Sequence, residues 1–302
     1  MLVSKQLVYL ELPKTASSHI RDLLKVMVGG EIVGKHNRVR FNDIEHTKLI
    51  VGSIRNPWDW YVSLWAFGCE GKGVLYKRLT SRKLKGNGLI GNVAQDAKVS
   101  WIDYLLTIIN NIGKPIKEYQ DLYSDSRDPQ KFRAWLKIIL GDYAAVKYSF
   151  GDGYAFSPIN SYAGLYTYYY LRLFSRNLSS IYSENLSDKE KLEIFDRNNN
   201  ALSDVIRVEN LEKDIISILK KLEYDLDESK LEIIRTFKPA WHTNKSNKPD
   251  SSAKVNSSKR VKSLEYYYDR ETISLVAEKE KLIIQKYGYN APEIKLKSSL
   301  AS

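Results

Sequence analysis

Lys14, Thr15, Ser17 and Ser18 fall within the six residues Pro13–Ser18 (PKTASS), between an apolar run and a stretch with helical spacing. Leu7, Val8, Tyr9, Leu10 and Leu12 make the run strand-like, Pro13 ends it, and Thr15, Ser17 and Ser18 are all suited to capping a helix. A strand that feeds a helix through a short polar loop leaves unpaired backbone N–H groups pointing outward, where the helix dipole favours negative charge. With the Lys14 ammonium beside them, the chemistry indicated is the holding of a phosphate. The loop has no glycine and its lysine precedes the hydroxyls, so it departs from the GxxxxGK[ST] loop of ATP and GTP sites. Taken alone, the same residues also describe an ordinary strand–turn–helix with a surface lysine.

A second set lies in Lys48–Trp65. KLIVGSI is a continuous apolar run of the kind found in buried parallel strands. It ends in Arg55-Asn56-Pro57, where Asn56 can cap a helix and Pro57 suits its first position. Arg55 at a strand end can fork onto a phosphate. Ser63, eight residues on, presents a hydroxyl two turns into a helix whose Trp58, Tyr61, Val62, Leu64 and Trp65 should face the core. Two strands each followed directly by a capped helix predict a parallel sheet with right-handed crossovers. Ligands of such sheets bind beyond the carboxyl ends of the strands, where both loops lie. Proton abstraction near neutral pH suits a histidine or a raised carboxylate. The histidines are His19, His36, His46 and His242. His36, in a polar loop after the first helix, is the first candidate base, and Glu11, at the end of the first strand, is the second. His19, inside the first helix near the phosphate loop, reads as a cofactor-side or structural group. His46 belongs to the turn before the second strand.

The elements that must position these groups are legible in outline. A helix is expected over Ser17–Val28, ended by Gly29-Gly30, and Glu31–Asp43 reads as a polar loop. Amphipathic helices are expected over Trp101–Ile112, Asp128–Gly141 and Asp225–Phe237. A third strand–helix unit is expected over Ser203–Val208 and Glu209–Leu222, and a closing helical stretch over Leu264–Tyr287, ended by Gly288. The tyrosines of Tyr143–Phe174 read mainly as core, some as lining for an acceptor cleft. Residues 69–98, rich in Gly and Lys, read as a flexible insertion or lid, and residues 238–262 as a polar loop. The 302 residues show no internal repeat and no clean boundary, which predicts one α/β domain with a central parallel sheet flanked by helices. Cys69 is the only cysteine, which excludes an intramolecular disulfide and a cysteine-based metal cage and fits a reducing cytoplasm. No run of apolar residues is long enough for a membrane span. The net charge of +11 points to an anionic partner, and without zinc-finger, RNP or basic-zipper patterns a small anionic ligand is favoured over nucleic acid.

PKTASS, then VGSIRNPWDWYVSLW, then Arg207-Val208-Glu209, then a tail containing NSSKR and YYYDRETISLVAEKEKLIIQKYGY, occur in that order. Together they resemble the sulfotransferase superfamily, which transfers a sulfuryl group from 3′-phosphoadenosine 5′-phosphosulfate (PAPS). The resemblance covers the two nucleotide motifs and the C-terminal third, and leaves about Cys69 to Tyr162 unmatched. It implies a sulfotransferase-like fold related to P-loop nucleotidases, a nucleotide cofactor that leaves as 3′-phosphoadenosine 5′-phosphate (PAP), and no metal. Lys14 matches the lysine that stabilises charge on the departing bridging oxygen, and Thr15, Ala16, Ser17 and Ser18 the loop around the 5′-phosphate. Arg55 and Ser63 match the pair that holds the 3′-phosphate. Asn256, Ser257, Ser258, Lys259 and Arg260 resemble the late loop that folds over the nucleotide. Some branches of that family place a catalytic histidine upstream of this arginine, as His36 stands to Arg55. The acceptor implied is a hydroxyl on a glycan, lipid or small molecule. Two rival readings stand beside this one: a kinase-like phosphotransferase, which lacks the expected lysine spacing and Mg²⁺ carboxylates, and a non-catalytic nucleotide- or glycan-binding protein.

Overall fold

Leu7–Leu10 is buried at every position and Leu49–Ile54 at nearly every one, so both strands are covered on both faces, as their unbroken apolar sequences require. A computed structural model describes residues 1–36, 38, 48–82, 101–141, 153–183, 185–237 and 262–294. The described elements run β1 (Leu2–Val3), β2 (Leu7–Leu10), α1 (Ser17–Val28), β3 (Glu31–Ile32), β4 (Leu49–Ile54), α2 (Pro57–Cys69), α3 (Val74–Leu79), α4 (Trp101–Ile112), α5 (Ile116–Leu122) and α6 (Pro129–Leu140). They continue with α7 (Leu165–Phe174), α8 (Lys189–Asn199), β5 (Asp204–Arg207), α9 (Leu211–Lys221), α10 (Glu228–Thr236), α11 (Leu264–Tyr267), α12 (Arg270–Lys279) and α13 (Lys281–Tyr287), with short 3₁₀ turns between.

The strands form one sheet in the order β3-β1-β2-β4-β5. β2, β4 and β5 are parallel, but β1 pairs antiparallel with both β2 and β3. The sheet is therefore mixed, which corrects the expectation of a parallel one. The cause is local. Ser4 turns the chain back, its N–H donating to the Leu7 carbonyl at 2.8 Å while its Oγ accepts from the Leu7 N–H at 3.0 Å. After α1, Gly29 and Gly30 take positive φ and return the chain along β1. A Cβ at Gly30 would overlap the Val3 carbonyl oxygen. The segment after α1, expected as loop, thus begins with a strand.

The packing separates into two compact units. The first holds Met1–Arg55, Arg172–Arg176 and Asn199–Ser257. Leu7, Tyr9, Val51 and Ile206, on one face of the sheet, share a core with Leu23 and Leu24 of α1 and Ile215 and Leu219 of α9. On the other face Gly52 lies so close to the Phe174 ring that a Cβ would come within 2.7 Å of it. The second unit holds Asn56–Leu171, Asn177–Asn198 and Ser258–Ser302. Asn56 Oδ1 accepts from the N–H of Trp58 at 3.0 Å and Pro57 occupies the first turn of α2, as expected. Trp58, Tyr61, Val62 and Trp65 are buried and Leu64 is half-buried. Trp60 stacks on Tyr166 at 4.7 Å, and Phe132 meets both Trp65 and Tyr267 edge-on. Tyr166, Tyr168 and Tyr170 are fully buried, so the core reading of these tyrosines holds.

Glu280 is fully buried in this core, and the groups that meet its carboxylate among the described residues are neutral donors. It ends α12 and opens α13, and it caps α7 from a distance. Its Oε1 accepts from the Tyr166 N–H at 3.2 Å and from the Tyr61 hydroxyl, and its Oε2 from the N–H and Oγ1 of Thr167 at 2.8 and 2.6 Å. Burial dominates these donors and raises its pKa from 4.5 to about 7.

Candidate functional site

β2 and β4 are parallel and adjacent, with Leu10 opposite Gly52, so the loops that leave their carboxyl ends emerge side by side. The PKTASS loop leaves β2. Lys14 and Ala16 both adopt the left-handed conformation, φ 64° and 52°, which costs non-glycine residues energy and persists only where the surroundings impose it. The imposing contacts come from Thr15, whose side chain is buried beneath the loop. Thr15 Oγ1 donates to the Leu12 carbonyl at 2.7 Å and lies 2.6 Å from Ser53 Oγ. Ser53 accepts from the Tyr9 hydroxyl at 2.7 Å. Burial keeps the Tyr9 phenol protonated well above its ordinary range, so it donates. The protons are thereby ordered in one direction: Tyr9 to Ser53, Ser53 to Thr15, Thr15 to Leu12.

Above this chain, α1 starts at Ser17 with no side-chain cap and no acidic residue in its first turn. Ser17 and Ser18 sit there, both buried. The first N–H groups of the helix and its positive dipole end are thus presented without a carboxylate of the helix itself to neutralise them. The Thr15 hydroxyl is engaged beneath the loop, so the expectation that it faces a phosphate is replaced by a role in holding the loop's shape. Arg55 leaves the end of β4 and its Nη1 donates to the Lys14 carbonyl at 3.2 Å, joining the two loops.

Two residues to which the sequence assigns no role of their own, Ser53 and Arg207, belong to this arrangement. Ser53 was taken as one residue of an apolar strand. Arg207, at the carboxyl end of β5, stands opposite Ile54 and so brings a third cation to the same edge. Its N–H donates to Asp214 Oδ2 at 2.8 Å, while its buried Nε meets no acceptor among the described residues. A buried guanidinium N–H without an acceptor among the described residues, on a strand whose carboxyl end adjoins that of β4, fits an anionic ligand. The signal available was an arginine at the end of a predicted strand, the same signal that marked Arg55.

His36 lies in the same unit. Its Nδ1 is 2.8 Å from the Glu11 carbonyl oxygen, which can only accept, so Nδ1 carries the proton and Nε2 keeps its lone pair. Crowding around the ring, with Lys35 adding to it, lowers the His36 pKa against the lift from that hydrogen bond. The side chain still exposes a large part of its surface, which limits the effect. His36 is therefore a neutral imidazole with an available acceptor nitrogen. Glu11 is arranged differently. Its side chain is fully buried, its oxygens accepting from Arg21 Nη1 at 3.3 and 3.5 Å and from the Met1 amino group. The Glu11 carboxylate is thus committed to two cationic partners, while its main-chain oxygen orients the His36 ring. The His19 ring packs edge-on against Phe237 at 5.4 Å, the structural alternative of its reading.

Ser63 is buried in α2, in the second unit. Asn256, Ser257, Ser258, Lys259 and Arg260 lie outside the described residues, as do His46, His242 and most of the segment expected as a lid. No group of three or more His, Cys, Asp or Glu side chains suited to a metal occurs among the described residues. Burial and nearby Asp125 push the Cys69 thiol up to about 12, so it is inert as a nucleophile. No family model matches the chain, and neither a curated protein nor a solved structure matches it.

Proposed function

We propose that the chain is a sulfotransferase that uses PAPS, with a sulfotransferase-like arrangement of the sheet edge described above. The observation that carries the reading is the junction of the PKTASS loop with the end of β4. There an uncapped helix start, Lys14 and Arg55 share one edge and are tied by the bond from Arg55 to Lys14. When bound, the nucleotide supplies the sulfuryl group. The amides of Thr15–Ser18 and the Ser17 and Ser18 hydroxyls would hold its 5′-phosphate, and Arg55 its 3′-phosphate. Arg207 adds charge at the same edge. Lys14 would supply the positive charge that balances the negative charge developing on the leaving nucleotide, the electrostatic term on which such transfers depend. His36 Nε2 takes the proton of the acceptor hydroxyl, and Glu11, through its carbonyl oxygen, holds the imidazole in the tautomer that permits this. The acceptor is a hydroxyl of a glycan, lipid or small molecule.

Calorimetric titration with PAP, with ATP and AMP as controls, tests the reading. The expected result is binding that requires the 3′-phosphate and weakens at least about tenfold in Arg55→Ala, the loss of one charge-assisted contact. Absence of binding, or a preference for ATP, overturns it.

A further inference from the structure

α4 is inside out. Six of its apolar residues, Trp101, Ile102, Leu105, Leu106, Ile109 and Ile112, fall within one arc of the helix and are exposed, Trp101 by 74% and Ile109 by 53%, while Ile108 at the edge of that arc is half-buried. The opposite arc is polar and buried: Thr107 is 1% exposed, Asn111 4% and the following Lys114 5%. Lys114 Nζ donates to Asn111 Oδ1 at 2.8 Å and to the carbonyls of Arg78 and Ser81 at 2.6 and 3.3 Å, which fastens the polar arc to the end of α3. A helix on a water-facing surface has the reverse orientation. A contiguous apolar face of this kind marks a surface that meets something apolar.

Charge identifies the partner. From Glu70 to Glu118 the sequence has nine Lys and Arg residues against four acidic ones, Glu70, Asp96, Asp103 and Glu118, a net charge of about +5. Lys77 and Arg82, on either side of the carbonyls that Lys114 binds, and Lys117, just beyond the end of α4, are exposed. Twelve residues of helix extend about 18 Å and present a strip well below the roughly 800 Å² per partner of a stable protein interface. The strip is ample for a helix lying in a lipid headgroup layer, with a tryptophan at one end and cations beside it. We propose that α4 docks this protein on an anionic membrane surface, its apolar arc in the headgroup–acyl boundary and Lys77, Arg82 and Lys117 against the lipid phosphates. Among the described residues no helix is long and apolar enough to cross a membrane, so the contact is peripheral. The inference does not depend on the nucleotide reading.

Co-sedimentation of the full chain with vesicles of phosphatidylcholine alone, and of phosphatidylcholine mixed with phosphatidylglycerol, is the test. The wild type should partition onto the mixed vesicles, more weakly onto neutral ones, and less as salt rises. Leu105→Gln with Ile109→Gln leaves net charge and exposed packing unchanged, which far-UV circular dichroism verifies, and should lower partitioning at least about tenfold. The emission of exposed Trp101 should shift to the blue on vesicles, and the shift should be missing in Trp101→Phe. Wild-type partitioning equal on neutral vesicles, absent altogether, or unchanged by the double substitution overturns the proposal. So does a dimer in light scattering that the double substitution converts to monomer, since α4 then meets a second copy.

Discussion

Replacing Glu280 with Gln isolates the energetic consequence of a carboxyl group that is buried beneath the start of α7. In the folded chain its pKa is raised from 4.5 to about 7, burial outweighing the donors Tyr61, Tyr166 and Thr167. Between those values the native state keeps a proton that the unfolded chain has released, so raising the pH favours unfolding. The contribution is fully present below about pH 4.5 and is lost as pH rises to about 7, beyond which it is flat. At about 1.4 kcal/mol per pH unit, the whole loss is about 3 kcal/mol. Gln stays neutral throughout. Its carbonyl can accept from Thr167 and its amide can donate to Tyr61, so the cap survives without the titration. Urea unfolding, followed by emission of the buried Trp58, Trp60, Trp65 and Trp135 of the same unit, reads the difference. The stability of the wild type minus that of Glu280→Gln should fall by about 3 kcal/mol across this window. A difference that is constant with pH, or that rises with it, refutes the reasoning: the donors would then outweigh burial.

Other outcomes follow from the first unit. Thr15→Val removes the acceptor of the Ser53 proton and the bond to Leu12, and should cost about 1–3 kcal/mol in urea unfolding. It should also weaken PAP binding, because the left-handed loop loses its anchor. Gly52→Ala drives a methyl against Phe174 and should lower stability by about 1–3 kcal/mol, visible as a lower thermal midpoint. With an accepted hydroxyl, sulfuryl transfer should decline as the pH drops through a value below the ordinary 6.5 of histidine, because His36 must be neutral to act, and His36→Gln should abolish that inflection.

Local chemistry explains what could be read from sequence and what could not. α1 ends at Gly29 and α2 begins after Asn56, at Pro57, because glycine, cap and proline act on their immediate neighbours, whereas the start of α1 at Ser17 has no side-chain cap although Thr15, Ser17 and Ser18 are suited to one. The Leu264–Tyr287 stretch was legible as helical, and its breaks follow from the Asp269–Thr272 capping box and from Glu280 turning inward. The mixed sheet was not legible, since β1 and β3 are two residues each and exist only by pairing with each other and with β2. Nor was the strained loop Pro13–Ser18. A left-handed residue usually announces itself as glycine, whereas Lys14 and Ala16 are forced there by the Tyr9–Ser53–Thr15 chain, whose members are far apart in sequence. Arg207 stands out in sequence only as part of a motif, and its place at this edge follows only when β5 is set beside β4. The orientation of α4 was invisible too, because its period is that of any amphipathic helix and does not say which arc faces water.

The ends of the sheet bear on how the protein behaves when concentrated. An edge strand with a long row of unpaired N–H and C=O groups invites a neighbouring chain to extend it, the first step toward fibrils. Among the described residues one edge is β3, Glu31 and Ile32, and the other is β5, four residues with Asp204 and Arg207 at its ends. A neighbour laid along β3 gains almost no ladder, and one laid along β5 must accommodate a charge at each end. Strand-by-strand polymerisation therefore has poor footing at either edge, and clumping in this chain should start from exposed apolar side chains instead.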